Sequence, residues 1–152
     1  MRVILALFAL VLLNVPAFAG WHFSVRDTGY GRLCYASTEQ NGIRLGFYGA
    51  PYGETFAFAQ GASLPRNARS TWQINGHPWR QFTGMADSYD GLHIYSGIRA
   101  PFLKEVARGS RLDLYLHDVT LAGNAPLTGT LGISLRGSSR SIHAMLACQG
   151  WL

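Results

Sequence analysis

The sequence predicts a mainly β protein: an antiparallel β-sandwich or barrel with two short helices, one of them C-terminal. Three observations carry this reading. Short runs alternating apolar with polar residues recur along the chain, Asn-Gly pairs fall between them, and only two segments show helical spacing.

Residues 1–19 read as an address rather than as part of the fold. Met1-Arg2 is a short positive start, Val3 to Leu13 is an unbroken apolar run, and Ala17-Phe18-Ala19 places small residues before Gly20. That is the pattern of a cleavable secretory signal. A membrane span needs about 20 apolar residues, and Asn14 and Pro16 end this run too early. Residues 20–152 then form a single β-rich domain.

Trp21 to Val25 alternates apolar with polar, as a half-buried strand does. Leu33–Ser37 and Ile43–Tyr48 flank Asn41-Gly42, a pair favoured in two-residue hairpin turns because both positions accept positive φ. Thr55–Gln60 sets Phe56 and Phe58 on one face. A second Asn-Gly pair, Asn75-Gly76, separates Thr71–Ile74 from Trp79–Phe82, and Asp90-Gly91 leads into Leu92–Tyr95. Later, Leu112, Leu114 and Leu116 point one way, with Arg111, Asp113, Tyr115 and His117 the other. After a turn at Gly123–Pro126, Leu131, Ile133 and Leu135 repeat the inward pattern.

The first helical segment, Ala100–Arg108, has Pro101 in its first turn and Gly109 after its end, the usual punctuation. The second, Ser138–Cys148, has serines available for capping and an apolar stripe of Ile142, Met145 and Leu146 to cover one end of the sandwich.

Composition bounds the rest. At 152 residues, 48% hydrophobic and 14% charged, the chain has room for one core and is too apolar for intrinsic disorder. The formal charge of +5 falls to +4 when Arg2 leaves with the signal, and Lys104 is the lone lysine beside the arginines. The two cysteines, Cys34 and Cys148, are predicted to form one structural disulfide in an oxidising compartment. No Cys-x-x-Cys spacing points to redox catalysis.

Chemical signatures are sparse. The G-x-S-x-G elbow, the phosphate-binding P-loop, the H-E-x-x-H zinc motif and a complete G-x-G-x-x-G are all missing. His22, His77, His93, His117 and His143 fall in different elements without metal-ligand spacing, so neither metal nor cofactor is expected. Asp87 and Asp90 are explained by turn chemistry. Arg66 with Arg69, and Arg136 with Arg140, read as solvated arginines, and no basic run suggests nucleic acid.

Aromatics offer the better candidates. His77, Trp79 and Arg80 follow a tight turn, Tyr89 and Asp90 fall at another, and Tyr48, Tyr52 and Tyr95 lie near turns or strand ends. Aromatic rings beside arginine suit glycan or protein recognition. The candidate binding residues are therefore His77, Trp79, Arg80, Tyr89 and Asp90, while Trp72 and Phe82 are assigned to the core.

The C-terminal third resembles the exported bacterial proteins of the invasion-associated locus B type. The resemblance rests on Leu103 to Leu112, on Ile133 to Ser139 with the helix ending at Cys148, and on Gly20-Trp21 followed by Cys34. It implies a periplasmic or secreted β-sandwich without enzymatic activity, in envelope or host-interaction roles.

The expected function is a non-catalytic envelope protein, periplasmic or secreted, whose partner is an envelope or host protein or a glycan. Two alternatives stand beside it. One is a small secreted hydrolase using His117 with Asp113. The other is an inhibitor of a cell-wall lytic enzyme, inserting a loop such as Ser88–Gly91.

Overall fold

The computed structural model describes residues 20–61, 68–75, 80–86, 92–118 and 126–152. The proposed signal segment lies outside them. Among the described residues nine strands run antiparallel: β1 (His22–Thr28), β2 (Gly31–Gln40), β3 (Ile43–Gly49), β4 (Thr55–Gln60), β5 (Ala68–Ile74), β6 (Arg80–Ala86), β7 (Leu92–Ile98), β8 (Arg111–Asp118) and β9 (Pro126–Ser134). Helix α1 (Ala100–Arg108) precedes β8, and α2 (Ser138–Cys148) follows β9.

The strands lie in the order β1-β2-β3-β4-β7-β6-β5-β8-β9. Two sheets emerge because β6 serves both. Its first half pairs with β5 through Arg80 to Thr83, and its second half pairs with β7 through Gly84 to Ala86. On one side stand β1, β2, β3, β4 and β7, and on the other β5, β8 and β9. Among the described residues no pairing joins β1 to β9, so the barrel does not close.

The first turn chemistry is as expected: Asn41 and Gly42 adopt φ of 53° and 73°. Between β4 and β7 the register shifts around Gly97, whose φ of 77° accommodates a bulge.

One core joins both sheets and both helices. Phe47 of β3 lies at its centre, with ring centroids 6.0 Å from Trp21, 5.9 Å from Trp72 of β5 and 6.1 Å from Phe102 of α1. The alternation assigned to Leu112, Leu114, Ile133 and Leu135 holds, and all four are buried. The core face of β4 is carried by Thr55, Ala57 and Ala59, while Phe56 and Phe58 share the opposite face.

Two expectations need correction. The strand at the start is not half-buried. Phe23 and Val25 are 40% and 45% exposed, because β1 is an edge strand with β2 as its single neighbour, and Trp21 just before it is the buried residue. Gly109 follows the end of α1 as expected, in extended backbone. Its role is close packing, since a Cβ there would lie 2.6 Å from Ile74 Cγ2 and 2.8 Å from Leu135 Cδ1. The serines of α2 do not cap it. Gly137 holds the N-cap position at φ 85°, and the buried Ser138 hydroxyl instead donates to the Val106 carbonyl of α1 at 3.0 Å.

The disulfide forms as expected. Cys34 in β2 is bonded to Cys148, the last residue of α2, across 114 positions of sequence. Such a bridge suits an oxidising environment outside the cytoplasm, and no described helix is long and apolar enough to cross a membrane. Immediately beyond it, the buried Gln149 side chain donates to Thr55 Oγ1 at 3.2 Å, and the Gln149 backbone carbonyl accepts from the Tyr52 amide at 2.9 Å. The end of α2 is thus pinned to β2 and to the β3–β4 turn.

The open side of the sandwich is stitched by side chains instead of strand pairing. Gln40 Nε2 donates to the Ser134 carbonyl at 3.0 Å, and the Ser134 amide donates to Gln40 Oε1 at 2.8 Å. Trp21 Nε1 also donates to Ser134 O, at 3.0 Å. The Gln40 amide therefore stands where a neighbouring strand's peptide would. Gln40→Ala should cost about 1 kcal/mol, read from urea unfolding, and should speed hydrogen exchange at the Ser134 amide. An unchanged exchange rate there would exclude this role.

Candidate functional site

The register of the five-stranded sheet stacks its outward residues into rows, because residues directly opposite one another share a face. Arg26 pairs with Leu33 in one row. The next holds Ser24, Tyr35, Tyr48 and Phe56, and the next His22, Ser37, Gly46, Phe58 and Ile94. Glu39, Arg44, Gln60 and Leu92 make the last.

Small residues shape this face. Ser37 and Gly46 sit side by side between the tyrosine row and the arginine row, and a groove of about 400 Å³ opens on the same face. Gly46 cannot be enlarged easily. A Cβ there would run into the Ala36 carbonyl oxygen and lie 2.6 Å from Ser37 Cα. The groove is lined from all five strands, by Ser24 and Arg26, Leu33 and Tyr35, Arg44 and Tyr48, Phe58 and Gln60, and Leu92 and Ile94.

The aromatic rings form one assembly. Tyr35 stacks on Tyr48 at 5.4 Å and Tyr48 on Phe56 at 5.3 Å, each pair 22° from parallel. Phe58, which is buried, meets Tyr35 and Tyr48 edge-on at 6.2 Å and 6.0 Å, and the Arg44 guanidinium lies 5.8 Å from its ring centre. Stacking uses the ring faces on one another, so a ligand meets mainly their edges and phenol groups. Burial, and then the neighbouring Tyr35, push the Tyr48 hydroxyl above its ordinary value of 10.0. At neutral pH it is therefore a hydrogen-bond donor.

Charge on the lining has one sign. Arg26 and Arg44 line the groove and no carboxylate does. Among the described residues neither arginine makes an ion pair, in contrast to Arg32 with Asp27 at 3.5 Å and Arg111 with Asp113 at 2.7 Å. Glu39 stands across from Arg44 on β2 but does not line the groove.

The candidates named from sequence mostly fall elsewhere. His77, Trp79, Tyr89 and Asp90 lie outside the described residues, as does the Ser88–Gly91 loop, and Arg80 is described as backbone only, opposite Trp72 in β5. Tyr95 is fully buried within β7 and Tyr52 is an exposed turn residue at φ 57°. Tyr48 is the one tyrosine of that set that reaches the groove. For the hydrolytic alternative, the Asp113 carboxylate is held by the Arg111 guanidinium, while His117 is described as backbone only. His93 is buried against Tyr95, and His143 is exposed with Nδ1 2.8 Å from the Ser139 carbonyl. No group of three or more potential metal ligands comes together among the described residues.

Tyr35, Arg44, Phe58, Gln60 and Arg26 were missed in the sequence. The available signal was in Ile43 to Tyr48, which carries Ile43, Leu45 and Phe47 on one face and Arg44 and Tyr48 on the other. A strand covered on one side needs them on one face only. Compared with protein-family models, curated proteins and solved structures, the chain finds no match in any of the three.

Proposed function

We propose that this protein is exported, to the periplasm or beyond, and acts there by binding a glycan in the groove on the outer face of its five-stranded sheet. The groove carries the reading. It combines an apolar floor with phenol, guanidinium, amide and hydroxyl groups, the mixture expected of a small ligand site. Tyrosines offer rigid, amphipathic contact at low entropic cost. The groove is far smaller than the surface a stable protein–protein interface buries, which favours a glycan over the protein partner.

Export is supported by the Cys34–Cys148 bridge and by the apolar run and small residues of Met1–Ala19. The resemblance to the invasion-associated locus B proteins points to the same compartment and to a role without turnover. Asp113, the carboxylate of the hydrolytic alternative, is committed to Arg111, which further favours binding over hydrolysis.

The test is an array of envelope and host-surface saccharides probed with the purified protein, repeated with Tyr35→Phe and Tyr48→Phe. These substitutions keep the rings and remove the hydroxyls. Each should weaken binding about 5-fold, the equivalent of one hydrogen bond, and leave the melting temperature nearly unchanged. The reading fails if no saccharide binds, or if those that bind ignore both substitutions.

A further inference from the structure

Resting on that reading, we infer that the groove's ligand is an acidic oligosaccharide, with anionic groups met by Arg26 at one end and Arg44 at the other. The register sets the spacing. Arg26 lies opposite Leu33 and Arg44 opposite Glu39, so the two arginine rows are six residues apart along β2. At about 3.3 Å per residue this is roughly 20 Å. The groove reaches from the Arg26 row to the Arg44 row, past Tyr35, Tyr48 and Phe58.

Charge complementarity selects the class. Every charged group on the lining is a guanidinium, whose planar fork matches a carboxylate or phosphate through paired hydrogen bonds. Neither guanidinium is satisfied by an ion pair among the described residues, and Arg44 lies over the Phe58 ring. The other polar groups are neutral: the Tyr35 and Tyr48 phenols and the Ser24 hydroxyl lie between the two rows, and the Gln60 amide stands beside Arg44. Such a layout suits sugar hydroxyls between two charged units. A single small anion would use one end, and a neutral chain would leave both arginines desolvated without a partner.

The experiment compares a trigalacturonate, its carboxyl-reduced neutral counterpart, and a phosphorylated trisaccharide of equal length, by calorimetry at low and moderate salt. The two acidic probes separate carboxylate from phosphate as the recognised group. At least one acidic probe should bind 10-fold or more tighter than the neutral one, and added salt should weaken it. Arg26→Gln and Arg44→Gln should each lose about 10-fold toward the acidic probe. Arg140→Gln, on the exposed face of α2, removes the same charge away from the groove and should have no effect. Thermal melts of all three variants establish that they fold.

Equal binding of neutral and acidic probes overturns the inference and leaves the glycan reading standing. So does an equal loss in Arg140→Gln, which would mark non-specific charge attraction. Binding of an acidic peptide with no saccharide bound would overturn both.

Discussion

Replacing Cys34 and Cys148 together by alanine should lower folding stability by about 4–5 kcal/mol. The bridge spans 114 positions, so it removes much of the freedom of the unfolded chain. Alanine is the better replacement because Cys34 is fully buried and serine would add a polar group to the core. The native state should also loosen at one place. Without the bridge, the end of α2 is held by the Gln149 contacts with Thr55 and Tyr52 and by its apolar face. Urea unfolding of the oxidised protein, the reduced protein and the double alanine variant measures this. The reduced and alanine forms should coincide, both far below the oxidised one. A loss under 1 kcal/mol would mean that packing alone holds the helix.

The second large effect is expected at Phe47. Phe47→Ala should cost about 3–5 kcal/mol, the sum of lost burial and a cavity that neighbours fill only in part. Its ring touches Trp21, Trp72 of the second sheet and Phe102 of α1, so no single element can relax to close the gap. Phe47→Leu should cost less, about 1–2 kcal/mol. Chemical denaturation checks both, and near-ultraviolet circular dichroism should change because Trp21 and Trp72 lose a common neighbour. If Phe47→Ala cost no more than Phe47→Leu, the ring would not be the joint between the sheets.

Phe47 and Phe58 illustrate how function and stability divide on this sheet. Both are buried, yet they lie on opposite faces of neighbouring strands. Phe47 joins the layers, while Phe58 floors the groove under Tyr35, Tyr48 and Arg44. Alternation along a strand separates the two roles. Substitutions at the groove's polar tips can therefore change binding without weakening the core.

Local chemistry was legible in the residues themselves. Asn41-Gly42 specified a hairpin because both positions tolerate positive φ. Leu112, Leu114 and Ile133 specified their inward face through period-two spacing, and two cysteines in one chain left one intramolecular pairing. Other features were not legible. The exposure of Phe23 and Val25 depends on β1 lying at an edge, and strand order has no local signal. Gly109 was legible as the end of a helix, but not as the place where Ile74 and Leu135, 35 residues before and 26 after it, come close. The groove depends on register in the same way. Ser37, Gly46 and Phe58 are ordinary strand residues until pairing sets them side by side.

The sequence by itself determined the β-rich class, the two helices, most strand positions and the disulfide, because these follow from local periodicity, turn chemistry and cysteine count. Tertiary structure alone decided that β6 divides one run of strands into two sheets and that Gln40 closes the seam at Ser134. It alone gathered Arg26, Tyr35, Arg44, Tyr48 and Phe58 around a groove. Side chains from five strands meet there only through pairing, and pairing is set by the packing of the whole sheet.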